Sequence, residues 1–521
     1  MDGRDSPAVT PDLSRSQFVR NLASNLTGFG LGILSNLVLT PYWIGHLGVA
    51  AYGLIPLTNA LVSYLGVITT VLSSSVGRFI TIEVSRGDLA RANRTFNTSL
   101  WGSIAIGVVV LAVGSAASFH ADSLIAVPDA LRGDSRLMLR LATLTFVVSL
   151  LQTPFAAATY CVNRLDLNNW AGVAMRVLQI AVGVGLVATL YPKPGAVMIA
   201  SLAGAVVGAA AAIFYWRRFM PWSRVAWLVE PEILRAQLAF GGWSVINLVG
   251  ALLYLQMDLL VVNRMLGPVA GGQYAALAQW SLLIRGLGGT VGAILGPTIT
   301  HYYARHEIGV LVKYARRSVL ALGLFLALPI GIIGGLAGPL LTRWLGPAYS
   351  QYAGLLLLMV LPLCVNVAVT PLFVVQSAAN RVRTPAVVTC LMGAGNLALG
   401  IGLTYSLGMY GVAIAGAVML TAKNAIFTPL YSALILGCRR TVFFREIVRT
   451  ALLSCVMTGV AFAAGRYVSL DTWGRVAAAT MVLAALYVPI AWYGALASGE
   501  RRQIKEAILV PAMARLAGRL Q

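Results

Sequence analysis

Uncharged apolar runs of about twenty residues recur from Asn21 to Ala497, separated by short segments that hold most of the arginines. One run of that length crosses a bilayer as a helix. The pattern predicts fourteen such helices. Six lie at 22–45, 53–79, 99–119, 137–161, 169–190 and 195–216. Six more lie at 240–265, 273–300, 318–340, 351–378, 384–407 and 409–437, and two follow at 450–466 and 476–497. The expected class is an all-α polytopic membrane protein.

Composition narrows this further. Apolar residues make up 58% of the 521 positions, only 11% are charged, and the mean hydropathy is +0.81. A soluble enzyme or a disordered chain does not have this balance. The net charge of +21 is read as loop charge, not as a nucleic-acid surface, because Lys and Arg collect in cytoplasmic loops and resist translocation. No nucleic-acid partner is expected, and the basic loops face membrane lipids.

The same charges set orientation. With the N-terminus inside, inner segments carry 27 Lys and Arg and outer segments carry 7. Both termini are therefore expected in the cytoplasm. The first twenty residues are polar, without the short apolar core of a removable signal peptide. The tail at 499–521 mixes Arg and Lys with Leu, Ile and Ala, and is expected to lie along the membrane surface as an amphipathic helix.

Several chemistries lack their motifs. The five cysteines form no CxxC pair and read as small core residues. His306-Glu307 begins a zinc-helix pattern, but position 310 is valine. None of the four lysines follows a glycine, so there is no phosphate-binding GxxxxGK[ST] loop. Neither metal nor cofactor is expected.

The chain resembles itself at an offset of 217–220 residues. Leu47-Gly48 matches Leu266-Gly267, and Arg86, Asp88 and Arg94 match Arg305, Glu307 and Lys313. Asn163-Arg164 matches Asn380-Arg381, and Gly77 matches Gly296. An offset across six spans predicts parallel repeats related by an axis along the membrane normal. The expected domains are an N-terminus at 1–20, a six-helix lobe at 21–216, a cytoplasmic linker at 217–239 and a second six-helix lobe at 240–437. Two added helices at 438–498 and the tail at 499–521 complete the chain.

An ionisable side chain at bilayer depth costs about 2.5–3.5 kcal/mol on insertion scales, and normally faces a cavity or a partner. The candidates are Arg78, Arg176, Asp258, Arg285 and Lys423. Four cations against one anion favour an anionic ligand such as a phosphate or pyrophosphate headgroup. Arg285 and Arg78, with their planar forks, are the favoured contacts, with snorkelling to the headgroups as the competing role of Arg78. Asp258 is the candidate ion-coupling residue, with a structural ion pair as its competing role. Asn25, Asn36, Asn59, Asn247, Gln256, Gln279 and Asn366 are candidates to line a polar path, and Tyr64, Tyr254 and Trp280 to stack on sugars. For each of these, a helix-to-helix hydrogen bond is the competing role.

Five segments carry a family resemblance. They are Asn21-Leu-Ala-Ser-Asn25, Leu47-Gly-Val-Ala-Ala-Tyr52-Gly53, Arg78-Phe-Ile-Thr-Ile-Glu-Val-Ser-Arg-Gly-Asp88, Gln256-Met-Asp258 with Leu266-Gly267, and Gly395-Asn396 with Gly408-Met-Tyr-Gly411-Val-Ala. Over about residues 16–437 the chain resembles the polysaccharide-biosynthesis (Wzx-type) flippases of the multidrug/oligosaccharidyl-lipid/polysaccharide exporter superfamily. The resemblance implies two six-helix lobes in a V shape and a cationic lumen. It implies flipping of undecaprenyl-pyrophosphate-linked oligosaccharide across the bacterial inner membrane by alternating access. It also implies a polysaccharide polymerase and glycosyltransferases as functional partners. The two last helices are like those of the lipid II flippases, where they form a groove for the lipid tail. The competing functions are a lipid II flippase, a cation-coupled multidrug exporter, and a membrane glycosyltransferase or polymerase.

Overall fold

A computed structural model describes residues 15–121, 125–240 and 242–502. Among these residues fourteen helical segments are long and apolar enough to cross a bilayer, and no strand is present. Each falls on a span expected from the hydropathy pattern. Of the tail at 499–521, residues 503–521 lie outside the described residues, as do residues 1–14 of the N-terminus.

The first half comprises α1 (Arg15–Leu47), α2 (Val49–Ser63), α3 (Gly66–Ser85), α4 (Leu89–Phe119), α5 (Arg132–Cys161), α6 (Leu165–Thr189) and α7 (Gly195–Phe219). A short α8 (Pro231–Phe240) follows, then α9 (Gly242–Leu255), α10 (Met257–Leu266), α11 (Pro268–Ala304) and α12 (Ile308–Gly335). The remainder is α13 (Ala337–Leu345), α14 (Ala353–Val360), α15 (Leu363–Asn366), α16 (Thr370–Ala378), α17 (Arg383–Leu407) and α18 (Met409–Thr421). After a π-helical segment, Ala422–Phe427, come α19 (Thr428–Ile435), α20 (Phe444–Tyr467) and α21 (Trp473–Ile490).

Several expected spans are interrupted, for local reasons. The second span changes to i→i−3 hydrogen bonding at Tyr64-Leu65, with Leu65 N–H on Val62 O at 2.9 Å and Ile68 N–H on Leu65 O at 2.9 Å. The seventh breaks at Gln256 (φ −119°). The tenth divides at Pro362 and again before Pro371, where no backbone donor is available. In the twelfth, Pro429 cannot donate and would crowd the carbonyl of residue 425, and the widened π turn at Ala422–Phe427 precedes it.

The sequence repeat is written into the backbone. Gly48 and Gly267, 219 positions apart, both close a helix at positive φ (84° and 91°), each N–H bonded four residues back at 3.0 Å. A side chain at either site would strain the turn. Asn163 and Asn380 are both left-handed (φ 56° and 54°). In each case the next N–H reaches back five residues, from Arg164 to Thr159 O and from Arg381 to Gln376 O, both at 2.9 Å. Gly87 and His306 repeat the same helix stop, with Asp88 N–H on Glu83 O and Glu307 N–H on Tyr302 O. Equivalent positions also touch. A Cβ on Gly53 would lie 2.7 Å from the Cα of Gly272, again 219 positions on.

The described chain forms two compact units. One holds the residues up to Gln279 with Val382–Gly416, and the other holds Trp280–Arg381 with the residues from Ala417 onward. In the first, α9 packs on α17 at glycines: a Cβ on Gly250 would meet Cys390 N at 2.7 Å, and one on Gly393 would meet Gly250 O at 2.7 Å. In the second, α20 lies in a glycine-lined face of α12. A Cβ on Gly323 would sit 2.1 Å from Thr450, and Cβ atoms on Gly331 and Gly335 would sit 2.6 and 2.5 Å from Met457 and Ala461. The thirteenth span is thus part of this unit's core. Arg316 fixes one end of the pair by donating twice to Glu446 Oε1, at 3.1 and 2.6 Å. Glu446 is buried, so Arg316→Ala leaves a buried carboxylate without its cation. The expected cost is about 3 kcal/mol, read as a lowered thermal midpoint in detergent. An unchanged midpoint would show the pair to be dispensable.

Candidate functional site

The candidate residues fall into three groups within the two units. The first is on α1 and α6. Asn21, from the opening motif, clamps one end of this helix pair. Its Oδ1 accepts from Asp166 N–H at 2.8 Å and its Nδ2 donates to Asn163 O at 3.2 Å, while Asn169 Nδ2 reaches Ser24 Oγ at 3.0 Å. Gln17 Nε2 adds a buried bond to Asp166 Oδ1 at 2.7 Å. With the register fixed there, Arg176 arrives ten residues further along α6, about 15 Å toward the middle of the span. Its Nε donates to Ser35 Oγ at 3.0 Å and its Nη2 to Asn36 Oδ1, both on α1. Both partners are neutral. Among the described residues no carboxylate pairs with Arg176, so its charge is uncompensated there and the guanidinium has further N–H groups to offer.

The second group surrounds Asp258, in the first turn of α10 just after the break at Gln256. Asp258 Oδ1 accepts from Asn396 Nδ2 at 2.9 Å, and Tyr274 OH lies 3.4 Å from Oδ2. A Cβ on Gly416 would be 3.3 Å from Oδ2, so the closeness of α18 depends on that glycine. Tyr64, at the end of α2, donates to Leu252 O of α9 at 3.2 Å, one turn before the break. Asn396 belongs to the Gly395-Asn396 motif, but nothing in the linear sequence marks it as the partner of Asp258.

The third group is in the other unit. Lys423 is 9% exposed and sits on the π segment with its Nζ 4.8 Å above the ring of Phe373. Among the described residues no carboxylate pairs with it. Beside it, Asn366 Nδ2 bonds Thr421 Oγ1 at 3.3 Å and Asn424 Nδ2 bonds Asn366 O at 3.2 Å. The π turn is what the hydropathy pattern missed: one extra backbone residue re-aims Lys423 and Asn424 into the unit's interior.

The other candidates are placed as follows. Arg78 lies on the exposed face of α3, and Arg285 is half-buried on α11. Asn25 on α1 and Asn247 on α9 are exposed, whereas Tyr254 is buried. Gln279 is half-buried on α11, near Tyr52 of α2. Trp280 packs edge-to-face on Trp344 with centroids 5.3 Å apart. Asn36, Tyr64 and Asn366 act between helices. Asn263 is a further interhelical polar residue, absent from the candidate set: it accepts from Ala126 N–H at 2.8 Å and donates to Ala126 O at 3.2 Å, tying the segment before α5 to α10. Among the described residues no group of His, Cys, Asp and Glu is arranged to hold a metal.

With this geometry in hand, similarity to known proteins decides the family. The family model described as polysaccharide biosynthesis protein matches residues 18–303. The uncharacterized membrane protein EpsK of Bacillus subtilis (strain 168) is 35% identical over 495 residues, covering 94% of this chain and 97% of EpsK. The chain belongs to the polysaccharide biosynthesis protein family. Its architecture is shared with solved transporters. The lipid II flippase MurJ, in an inward closed conformation, superposes with a TM-score of 0.66 at 13% identity, over 91% of this chain and 99% of MurJ. A transporter of the MOP superfamily from Pyrococcus furiosus gives 0.57 at 15% identity, over 81% and 95%. The Vibrio cholerae MATE transporter VcmN in its bent form gives 0.53 at 14%, over 84% and 98%. At these identities the likeness is one of fold. The protein is therefore a multi-pass membrane protein of polysaccharide biosynthesis with the fold of the MOP superfamily.

Proposed function

We propose that this protein is a flippase, not an enzyme, and that it moves polyprenyl-pyrophosphate-linked oligosaccharide between leaflets of the bacterial inner membrane by alternating access. The observation that carries the reading is Arg176, held by Ser35 and Asn36 with no carboxylate among the described residues. A mid-span cation kept charged is costly, and an anionic ligand recovers that cost. The guanidinium fork suits the oxygens of a pyrophosphate. Lys423 supplies a second cation of the same kind.

Family membership supports the glycan part of the reading, and the fold shared with a lipid II flippase supports transport over chemistry. In this proposal Arg78 and Arg285 guide the headgroup, and Asn25 and Asn247 meet the sugars. Tyr254 and Gln279 reach substrate only in a state that opens their present packing. Asp258, with Asn396 and Tyr274, is the ion-coupling residue. The Lys and Arg bias of 27 to 7 supports cytoplasmic termini. A lipid II flippase differs from this reading only in the sugar, whereas an exporter of organic cations would have to overcome repulsion by Arg176.

The test is reconstitution. Proteoliposomes should expose the lipid-linked glycan to an external lectin faster than protein-free vesicles, and the glycan lipid should be recovered with unchanged mass. A changed mass would make the protein an enzyme, and equal exposure rates would end the flippase reading. In the same assay Arg285→Ala should slow exposure without loss of folded protein; full activity would remove Arg285 from the path.

A further inference from the structure

The segment after α7 is built as a strap. Residues 223–230 run without helix along the first turns of α4, held by a ladder of side chains on that helix. Asn93 Oδ1 accepts from Ser223 Oγ at 3.0 Å and Arg224 N–H at 2.8 Å. One turn on, Asn97 accepts from Ala226 N–H at 2.7 Å and donates to Arg224 O at 2.8 Å. Trp101 Nε1 donates to Ala226 O at 2.8 Å, and Thr98 Oγ1 accepts from Glu230 N–H at 3.1 Å. Asn93, Asn97 and Trp101 share one helix face and satisfy strap backbone groups that would otherwise need water. Past the strap, Gln237 bonds Ser99 at 2.8 Å.

This clamp holds apolar side chains outward. Val225, Leu228 and Val229 are exposed, and Trp227 is 75% exposed although its ring lies 4.2 Å from that of Trp101. A strap tied at so many points could have turned these groups inward; it presents them instead. Their depth follows from α4. Trp101 sits near the start of the apolar part of that span, about 12 Å along the helix from Asn93. A pair of indoles at that level marks a membrane–water interface. The charges around it are mainly positive. Arg217 and Arg218 end α7, and Arg224 and Arg235 flank the apolar edge, all exposed. Of the acids in this region, Glu230 pairs with Arg94 at 3.1 Å and Glu83 with Arg91 at 3.6 Å, while Asp88 caps α4 and Glu232 is exposed.

We propose that the strap is an anionic-lipid docking surface: Val225, Trp227, Leu228 and Val229 enter the headgroup layer of the adjoining leaflet while the four arginines engage acidic lipid phosphates. Continuity with the ends of α7 and α4 and the excess of arginine identify the occupant as the membrane itself. The connector between the two repeats is then a fixed, lipid-seated part of its own unit.

The test places nitroxide labels at Val225→Cys and, separately, Leu228→Cys. The full chain, with its five native cysteines replaced, is held in nanodiscs of phosphatidylcholine with or without phosphatidylglycerol. Both labels should collide with oxygen severalfold more than with a water-soluble nickel chelate, whereas a control at Arg91→Cys should show the reverse. Adding phosphatidylglycerol should deepen both labels, and the pair Arg224→Gln and Arg235→Gln should remove that shift. Nickel accessibility at either label, as for an edge awaiting a soluble protein partner, overturns the proposal. Indifference to phosphatidylglycerol overturns its anionic part. Neither readout depends on transport, so failure here and failure of the flippase reading are separate results.

Discussion

Arg176→Gln is expected to abolish most flipping while leaving the protein folded. The glutamine amide can still donate to Ser35 or Asn36, so the α1–α6 pair keeps a polar tie, but the charge is gone. Charge-assisted hydrogen bonds are worth about 1.5–3 kcal/mol, which is roughly a 10- to 150-fold loss of headgroup affinity. Lys423→Met keeps the stem that packs over Phe373 and also removes a charge, and a loss of the same order is expected. Arg176→Lys should retain part of the activity, because the charge survives while the planar fork does not. Flipping by Arg176→Gln at the parental rate, with normal amounts of folded protein, would take Arg176 out of the mechanism.

The largest structural effect is expected at Gly272. A Cβ there would lie 2.1 Å from the carbonyl oxygen of Val49, and 2.9 Å from its carbonyl carbon. These are backbone atoms, so no rotamer change relieves the clash, and α2 and α11 would have to part. Overpacking of this kind costs about 3 kcal/mol or more, and Gly272→Val should leave little folded protein after detergent extraction. Gly30 of α1 is the control. A Cβ at Gly30 meets nothing within 4 Å, so Gly30→Ala should be tolerated or stabilising by about 0.5–1 kcal/mol. Equal yields of Gly272→Val and parental protein would contradict the close crossing at the repeat-related pair.

The fold was legible in the sequence because the bilayer imposes a single strong rule: about twenty apolar residues per span. All fourteen spans follow from it. The duplication was legible because helix stops demand particular residues. Gly48 and Gly267, and Asn163 and Asn380, occupy backbone conformations that few residues accept, so the match outlasts divergence of the lipid-facing positions. The interruptions were less legible. Pro429 is visible in the sequence, but whether a proline kinks, ends or widens a helix depends on what packs against it, and here it gives a π turn that buries Lys423.

The candidate site was half legible. Mid-span charges are rare enough to read directly, so Arg176, Asp258 and Lys423 can be named as candidates from the sequence, as can Arg285 and Arg78. Their partners were not, because Ser35, Asn36, Asn396 and Phe373 are ordinary residues 141, 140, 138 and 50 positions away in the chain. The Asn93–Asn97 ladder was also missed, although two asparagines four apart at the start of a span would have marked a polar helix face. Tyr254 offers a ring to stack on sugars and Gln279 an amide to line a polar path, but their types equally serve packing and interhelical bonding.

The most direct test of the account is the binding of water-soluble short-chain prenyl compounds to the purified full-length protein. The pyrophosphate should bind, and the matching prenyl alcohol should bind at least about tenfold more weakly. Arg176→Gln should remove most of the difference, and rising salt should weaken only the charged ligand. Equal affinity for alcohol and pyrophosphate, or a preference for organic cations, would contradict the claim that the uncompensated charge of Arg176 holds an anionic lipid headgroup.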